Sequence, residues 1–296
     1  LILMTRRALL IVNRHARRGQ NSRSQAVNQL QRLGFDLMET ETEKPQYLSD
    51  VIRHHSHQVD LVIIGGGDGT LNAAVEGLVE TQLPLGILPL GTANDLAHTL
   101  GIPSSLPEAC QIVAKGQLQR IDLGWVNGKH FFNVASLGLS VQITERLNQR
   151  VKRHWGVLAY AVTALGVIWQ AQPFRADIRL DGELIRVKTV QIAVGNGRYY
   201  GGGLTVCEDA AIDDQQLHLY SLNVRHWWQL VASLPVIWKG RHKAWLGFHA
   251  CKCQEIEIYT HGLYPINTDG ELTTHTPAQF RIIPKAISVL IPKKHF

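Results

Sequence analysis

Long apolar runs and cysteine-rich patterns are both missing from this chain of 296 residues. A membrane-spanning helix needs about 20 consecutive apolar residues, and the longest apolar stretch, residues 157–169, is shorter than that. The four cysteines are too few for a disulfide framework in a chain of this size. Cys251 and Cys253 lack a second matching pair, which argues against a zinc site. We therefore expect a soluble protein without a disulfide framework or structural zinc.

Acidic residues are scarce at the start of the chain, where seven arginines precede Asp36. The net charge of +6 suits an anionic partner such as a nucleotide or a membrane surface, and it is equally typical of a solvated basic face. No recognition helix, aromatic platform or zinc motif supports nucleic-acid binding, so we expect none. The first apolar residues precede the arginines, the reverse of a secretory signal, and this order predicts a cytoplasmic protein.

The length of the chain predicts two domains. Residues 1–120 alternate aliphatic strands with helices, which is typical of a Rossmann-like α/β domain with a parallel sheet. Residues 121–284 carry short alternating segments and turn pairs such as Asn127-Gly128, which predict a mostly antiparallel β domain. Its expected strands include 119–126, 130–135, 176–180, 184–194, 216–222, 255–259 and 280–283. The last strand, 287–291, resembles those of the first domain, so we expect residues 285–296 to complete that domain.

The most informative string is 60–70, in which a buried strand ends in Gly65-Gly66-Gly67 and a helix follows. Glycines let the backbone approach a ligand, and the start of a helix places amide groups and a positive dipole end there. This arrangement predicts phosphate binding. The string has neither the Gly-Lys-Ser/Thr of a P-loop nor the third glycine of the dinucleotide fingerprint. Asp68 beside phosphates indicates a Mg²⁺-bound nucleotide, and the alternative is a tight turn with Asp68 as a helix cap.

A second string of the same character follows the next strand, 85–88. Gly91 and Thr92 turn the chain, and Asn94 and Asp95 can cap the helix that follows. Because the carboxyl ends of neighbouring parallel strands meet at one edge, the two loops would share a crevice. Each loop alone is a weak indication of a site, and the two together are a strong one.

Residues 65–70 (GGGDGT) with 91–95 (GTAND) resemble the diacylglycerol kinase catalytic-domain family, in particular its soluble bacterial lipid kinases. Sphingosine and ceramide kinases are relatives, and NAD kinases share a related first domain. The resemblance continues in the family's order at 133–138 (NVASLG), 195–203 (GNGRYYGGG), 207–214 and 269–271 (DGE). It covers essentially the whole chain, and it does not specify which lipid is phosphorylated.

The resemblance implies an ATP-binding α/β domain and a β-sandwich-like second domain, with the active site in the cleft between them. By similarity, ATP would be bound by residues of the strand ends and glycine loops: Asn13, Thr42, Gly66, Gly67, Asp68, Gly69, Thr70 and Thr92. Thr40 is an alternative to Thr42, because an ungapped comparison lands on the residue between them. Around Asn13 the family usually has Asn-Pro and small residues, which arginines replace here.

The resemblance also implies catalytic roles for Asp68, Asp122, Asp269 and Glu271. Glu271 matches the family's proposed proton acceptor, and a carboxylate there would orient a lipid hydroxyl and take its proton late in the transfer. Asp122 falls where the family places another acid of the cleft. Taken alone, 269–271 is typical of a hairpin turn and Asp122 of a strand end.

A structural Mg²⁺ is implied for the loop that includes Asp214. By similarity Asp214 would provide a carboxylate, and Ala211 and Gln216 would provide backbone carbonyls, which suit a hard cation. The family commonly has glycine directly after this aspartate, where Gln215 stands here. Asp209 and Asp213 are equally typical of a solvated loop.

Two segments are candidates for contact with lipid. Tryptophans and basic residues are interleaved between Trp227 and Trp245, a pattern typical of a bilayer interface and also of a core helix with a basic exposed face. The helical segment 156–169 would line an acyl groove or pack in the core. We expect an ATP- and Mg²⁺-dependent lipid kinase in peripheral contact with an anionic membrane. A non-catalytic nucleotide- or lipid-binding regulator and a kinase of a soluble acceptor are the alternatives, and a homodimer is left open.

Overall fold

The computed structural model of the protein describes residues 6–13, 19–40, 45–146, 172–197, 199–200, 204–205, 210–222 and 248–293. The described residues divide into two compact units. The first unit takes its residues from Leu1–Leu123 and Ile283–Phe296, and the second takes its residues from Gly124–Tyr200 and Leu204–Ile282. Thr42 and the two segments expected to contact lipid, 156–169 and 227–245, lie outside the described residues.

The first unit alternates strands with helices. Its elements are β1 (Arg6–Val12), α1 (Gly19–Arg32), β2 (Phe35–Thr40), a 3-10 turn (Pro45–Tyr47), α2 (Leu48–His55), β3 (Leu61–Gly66), α3 (Asp68–Thr81), β4 (Leu85–Pro89), α4 (Asp95–Thr99), α5 (Leu106–Lys115) and the first part of β5 (Gln117–Val126).

A parallel sheet in the order β2-β1-β3-β4 forms the centre of the first unit. The end of the chain's last strand lies beside β4, also parallel to it, with Val289 opposite Leu85. Every residue of β3 and β4 is buried, as expected for central strands of a parallel sheet. The register places Val12 beside Gly65 and Gly66 beside Pro89, so β1, β3 and β4 end along one edge.

The second unit consists of antiparallel strands and one described helix. After β5 its elements are β6 (Lys129–Phe131), β7 (Val134–Gly138), α6 (Leu139–Arg146), β8 (Phe174–Leu180), β9 (Glu183–Thr189), β10 (Gln191–Gly195), β11 (Tyr199–Tyr200), β12 (Leu204–Thr205), β13 (Leu217–Leu222), β14 (Phe248–Cys253), β15 (Glu255–Thr260), β16 (Pro265–Thr268), β17 (Glu271–His275) and β18 (Ala278–Ile291). In the part of the chain that the structure describes, no helix has the length and apolar character needed to cross a membrane.

Two layers of strands enclose the core of the second unit. One is a six-stranded sheet in the order β14-β13-β10-β7-β16-β17, and the other contains β9, β8, β15 and the first part of β18. Leu137 and Val194 from the first layer and Ile178, Ile256 and Phe280 from the second belong to one buried cluster. This packing confirms the β-sandwich.

Three expected strands of the second domain are divided differently in the structure. Residues 130–135 are divided between the end of β6 and the start of β7. Phe132 and Asn133 lie between the two strands, where their N–H groups donate to the distant Asp269 carboxylate instead of to a neighbouring strand. Residues 184–194 form β9 and β10, which lie in different sheets. The strands expected at 280–283 and 287–291 are one strand, β18, in which Lys285 has a φ of 50°. In each case contacts between distant parts of the chain override the local pattern.

Candidate functional site

The first glycine loop connects β3 to α3 and is tied to the end of β1. Gly67 is the N-cap of α3, which begins at Asp68. A Cβ on Gly66 would lie 2.6 Å from Thr70 Oγ1, so glycine is needed for the turn to close on the helix. Asn13 Nδ2 donates a hydrogen bond to Thr70 Oγ1 at 3.0 Å, and the backbone N–H of Asn13 donates to the carbonyl of Gly65 at 2.9 Å. The structure therefore brings Asn13 and Thr70 together, as the shared strand edge predicts.

The second glycine loop packs directly on the first. A Cβ on Gly91 would collide with the Cα atom of Gly67. Asn94 encloses Gly91 from the other side, since its Oδ1 accepts from the Gly91 N–H at 3.0 Å and its Nδ2 donates to the Gly91 carbonyl at 3.1 Å. Asn94 itself has a left-handed φ of 53°. Two backbones can approach this closely only where neither carries a side chain, so the loops form one continuous surface of peptide groups.

Asp68 links the two loops through its side chain. Its Oδ1 atom accepts a hydrogen bond from the backbone N–H of Leu96 at 3.2 Å, in the first turn of α4. Asp68 is therefore the first residue of α3, whose N-cap is Gly67, and its side chain caps α4. The alternative in which Asp68 caps the helix that directly follows it is wrong. A carboxylate offers about four lone-pair positions, so the contact with α4 leaves it able to meet a cation or a hydroxyl.

The combined loop surface carries groups that are able to bind phosphate. The start of α3 presents amide groups and the positive end of a helix of 14 residues, both of which stabilise an anion. Thr92 is exposed on the second loop, while Thr70 is 6% exposed and engaged with Asn13. Thr92 is therefore the more accessible hydroxyl, and Thr70 acts from within the loop.

In the second unit, the turn from β16 to β17 is a two-residue hairpin. Asp269 and Gly270 have φ values of 49° and 94°, which are typical of the Asp-Gly turn that joins antiparallel strands. The Asp269 carboxylate accepts hydrogen bonds from the backbone N–H groups of Phe132, Asn133 and Val134 at 2.7, 2.9 and 3.1 Å. A carboxylate bound by three amides is firmly held, and these contacts fix the turn that leads to Glu271. The catalytic role implied for Asp269 stays a prediction.

Removing the Asp269 carboxylate should therefore destabilise the protein. We expect Asp269→Ala to lower the free energy of unfolding by about 2–5 kcal/mol, because three amide donors lose their acceptor. Urea unfolding measures the change. The control is Asp177→Ala, which removes an exposed carboxylate 3.8 Å from Arg186 and should change stability by less than about 1 kcal/mol. Equal stability of the two variants would show that the amide contacts do not form in solution.

Glu271 begins β17 on an edge strand of the six-stranded sheet and its side chain is exposed. Protein atoms around the Glu271 carboxyl nevertheless displace part of its water, and this partial desolvation raises its pKa above the ordinary value. A carboxylate with a raised pKa is a stronger base and still meets solvent or a ligand. These properties suit a general base, and the catalytic role implied for Glu271 stays a prediction.

Asp122 occupies a different environment from Glu271. It is 0% exposed within β5, and its Oδ1 atom accepts a hydrogen bond from the backbone N–H of Lys285 at 2.7 Å. Arg120 from the same strand donates to the Lys285 carbonyl at 2.8 Å. Both contacts hold the left-handed Lys285 of β18 against β5. The catalytic role implied for Asp122 stays a prediction, and its hydrogen bond from the Lys285 N–H is a structural contact.

The loop before β13 brings together the three residues implied as metal ligands. Asp214 accepts hydrogen bonds from the backbone N–H groups of Gln216 at 3.0 Å and Ala211 at 3.4 Å, and its Oδ2 lies 3.0 Å from Nε2 of the buried His218. The Ala211 carbonyl accepts from the Asp214 N–H at 3.3 Å. Burial alone would raise the pKa of Asp214, but His218 and the two amides outweigh it and lower that pKa.

A metal ion at this loop would have to compete with these hydrogen bonds. His218 supplies a hydrogen-bond donor to the Asp214 carboxylate, whose negative charge a cation would otherwise neutralise. Within the described ranges, no group of three His, Cys, Asp or Glu side chains is placed to hold a metal ion. The structural Mg²⁺ at Asp214, Ala211 and Gln216 stays a prediction.

Gln215 keeps the backbone conformation that glycine would favour. Its φ is 58°, in the left-handed region. We expect Gln215→Gly to raise the free energy of unfolding by up to about 1 kcal/mol, since glycine removes the steric cost. Gln279→Gly in β18 is the control, and it should lower stability by about 0.5–1 kcal/mol because glycine weakens a strand. Thermal unfolding of both variants tests the sign, and a loss of stability in Gln215→Gly would contradict it.

Two family models match the chain. Residues 7–126 match the diacylglycerol kinase catalytic domain, and residues 133–291 match the YegS C-terminal NAD kinase beta sandwich-like domain. A protein of Chromohalobacter salexigens named "Probable lipid kinase YegS-like" is 36% identical over 78% of this chain and 76% of its own length. The chain belongs to the diacylglycerol kinase family.

Two further members of the family match most of this chain and most of their own length. A diacylglycerol kinase of Mycobacterium tuberculosis strain H37Rv is 32% identical over 79% of this chain and 77% of its own. A crystal structure of a diacylglycerol kinase from Bacillus anthracis str. Sterne covers 97% of each chain with a TM-score of 0.82 and 27% identity. The protein is a kinase, and the family and fold class expected from its sequence are confirmed.

Sequence reasoning gave no role to Asn196 or His218 and expected Asn94 only to cap the helix that follows it, whereas all three side chains make specific contacts in the structure. Asn94 encloses Gly91, Asn196 binds the backbone of Phe132, and His218 meets Asp214. Asn94 and Asn196 each lie in or beside a glycine-bearing loop, where short amide side chains often bind the backbone. That composition was the available signal for these two residues. His218 offered none, because a histidine within a strand pattern is usually a core residue.

Proposed function

We propose that this kinase transfers the γ-phosphoryl group of ATP to a hydroxyl of a diacylglycerol-like lipid, with Mg²⁺ accompanying the nucleotide. The observation that carries the proposal is the direct contact of two glycine loops, at Gly67 and Gly91, where three parallel strands end. The names of the relatives, a lipid kinase and diacylglycerol kinases, support a lipid as the acceptor.

The glycine loops would bind the phosphates of ATP and hold them still. Phosphoryl transfer depends mainly on positioning and on stabilisation of spread negative charge, and backbone amides fixed before the reaction provide both. The amides at the start of α3 and the hydroxyl of Thr92 are the donors best placed for this. Asn13 would contribute indirectly, because its side-chain amide donates the hydrogen bond that holds Thr70 in place.

Glu271 would receive the proton of the lipid hydroxyl. In the transfer, the hydroxyl oxygen forms a bond to the γ-phosphorus and the bond from that phosphorus to the β,γ-bridging oxygen breaks, which releases ADP. The hydroxyl proton passes to the Glu271 carboxylate. The raised pKa of Glu271 favours this step because a more basic carboxylate holds the proton more firmly.

Mg²⁺ bound with ATP would offset the negative charge of the phosphates, and Asp68 is the described carboxylate that would hold it. The fit rests on chemistry that the structure shows: one oxygen of Asp68 meets the N–H of Leu96, and the remaining lone pairs suit a hard cation. Peripheral contact with an anionic membrane is part of the proposal, and a homodimer is left open.

An acceptor panel tests the proposed function. The protein is mixed with Mg²⁺, γ-labelled ATP and mixed micelles of one lipid at a time, beside separate reactions with NAD and with sugars. We expect label in a lipid and none in the soluble acceptors. Label in a soluble acceptor alone would overturn the lipid proposal, and ATP binding without any transfer would favour the non-catalytic regulator.

A further inference from the structure

Strand β17 contains a β-bulge directly after its first two residues. Next to the turn, Thr268 of β16 lies opposite Glu271. Further along the hairpin, Ile266 lies opposite Thr274. Three steps along β17 therefore match two steps along β16, and the extra residue is Thr273. A bulge bends its strand and changes the direction of the side chains beside it, and bulges are over-represented next to active sites.

The bulge decides which side chain lies opposite Thr268. Without the extra residue, Leu272 would lie opposite Thr268, and Glu271 would fall within a three-residue turn. In the structure Glu271 takes that place, and residues directly opposite each other project from the same face of a sheet. Thr268 also lies opposite Ala135 of the buried cluster. Glu271 therefore projects from the face of the sheet that carries the core, and Leu272 projects from the other face.

Two hydroxyl groups hold the bulge in place. Thr268 Oγ1 donates a hydrogen bond to Thr273 Oγ1 at 3.1 Å, and Thr273 Oγ1 donates to the carbonyl of Ile266 at 3.5 Å. Thr268 is 0% exposed, so its hydroxyl needs a partner within the protein. A bulged residue interrupts the hydrogen bonds between its strand and the neighbour. Here the side chain of Thr273 restores a link between the bulge and β16.

We propose that Thr273 is a positioning residue for phosphoryl transfer, because its hydroxyl fixes the bulge that aims the Glu271 carboxylate. This inference rests on the proposed function, in which Glu271 receives the proton of the lipid hydroxyl. Thr273 acts on Glu271 through the backbone of β17. The effect on the rate can be large, since a misplacement of about 1 Å can slow an enzyme by about 10²-fold.

Thr273→Val tests this role, because valine keeps the shape of the side chain and removes both hydroxyl contacts. We expect kcat for lipid phosphorylation to fall about tenfold, while KM for ATP stays the same. Thr273→Ser keeps the hydroxyl and should retain the parent kcat. Thr274→Val is the matched control on the same strand. It removes a hydroxyl that accepts a hydrogen bond from Asn127 Nδ2 at 3.2 Å, and it should leave kcat unchanged.

The titration of Glu271 supplies a readout that a general loss of stability would not move. Partial desolvation raises the pKa of this carboxyl, so a carboxyl that leaves its place gains water, and its pKa moves back toward 4.5. In Thr273→Val the acid limb of the pH profile should therefore begin at a lower pH than in the parent or in Thr273→Ser. Carbon-13 NMR of labelled glutamate carboxyls follows the same titration without relying on catalysis, and Glu271→Gln identifies the signal.

Thr268→Val supplies the same test from the other strand and replaces Thr273→Val if that variant fails to fold. It removes the donor of the hydrogen bond between the two hydroxyls and keeps the shape of the side chain. We expect the same fall in kcat and the same shift of the Glu271 titration.

The outcomes separate this inference from the proposed function. An unchanged Glu271 titration in folded Thr273→Val would overturn the inference, and so would a parent-like kcat. Label in none of the lipids with the parent protein would instead contradict the lipid kinase proposal. In that case the NMR titration still shows whether Thr273 determines the position of Glu271.

Discussion

Glu271→Gln should lower kcat for lipid phosphorylation by about 10²- to 10⁴-fold, because an amide cannot accept the hydroxyl proton. The Kd for ATP should stay the same, since Glu271 begins β17 in the second unit and the glycine loops belong to the first. Steady-state kinetics with saturating lipid measures kcat, and calorimetric titration measures the Kd. Glu183→Gln, an exposed change of the same kind in β9, is the control and should retain parent activity. Full activity in Glu271→Gln would remove Glu271 from the mechanism.

The pH profile gives an independent test of the same residue. The reaction needs Glu271 in its charged form, so activity should fall as the pH decreases through the pKa of this carboxyl. Burial raises that pKa above the ordinary 4.5, so the fall should begin at a higher pH than it would for an exposed glutamate. Glu271→Gln should lose this acid limb. An unchanged acid limb in the variant would assign it to another group.

Gly91→Ala should weaken ATP binding by at least about tenfold, which corresponds to about 1.4 kcal/mol. The added Cβ would collide with the Cα atom of Gly67 and lie 2.7 Å from Asn94 Oδ1, so the two loops have to separate. Overpacking of this kind commonly costs about 1–3 kcal/mol of stability as well. Calorimetric titration with ATP measures the affinity, and thermal unfolding measures the stability.

Gly262→Ala provides the matched control for Gly91→Ala. A Cβ on Gly262 meets no atom within 4 Å, so this variant should bind ATP as the parent does and unfold at nearly the same temperature. Parent-like ATP affinity in a folded Gly91→Ala protein would show that the contact between the loops is not needed for nucleotide binding. That result would leave the first glycine loop as the remaining candidate for the ATP-binding site.

The local sequence was sufficient to predict those parts of the candidate site that consist of a few adjacent backbone groups. The string from Asp60 to Thr70 predicts a strand, a turn and a helix start, and the structure has β3, the turn and α3 in those places. The hairpin at Asp269 and Gly270 was likewise evident from two residues. In both cases the information lies within a few adjacent residues, because glycine acts through its own φ and its missing side chain.

Contacts between distant residues could not be predicted in this way. Asp269 meets the N–H of Asn133, 136 positions away, and Asp122 meets the N–H of Lys285, 163 positions away. Nothing in the sequence around either aspartate indicates that its carboxylate will bind backbone amides. The resemblance to a family identifies such residues but does not separate a base from a positioning group, which requires burial and hydrogen-bond partners.

The most direct test of the central claim counts both products of one reaction. The protein is incubated with ATP, Mg²⁺ and the lipid that the acceptor panel selects, and mass spectrometry quantifies ADP and the phosphorylated lipid at successive times. We expect the two to appear in a one-to-one ratio, with both strongly reduced in Glu271→Gln and Gly91→Ala. ADP formed without a matching amount of phosphorylated lipid would contradict transfer to a lipid hydroxyl.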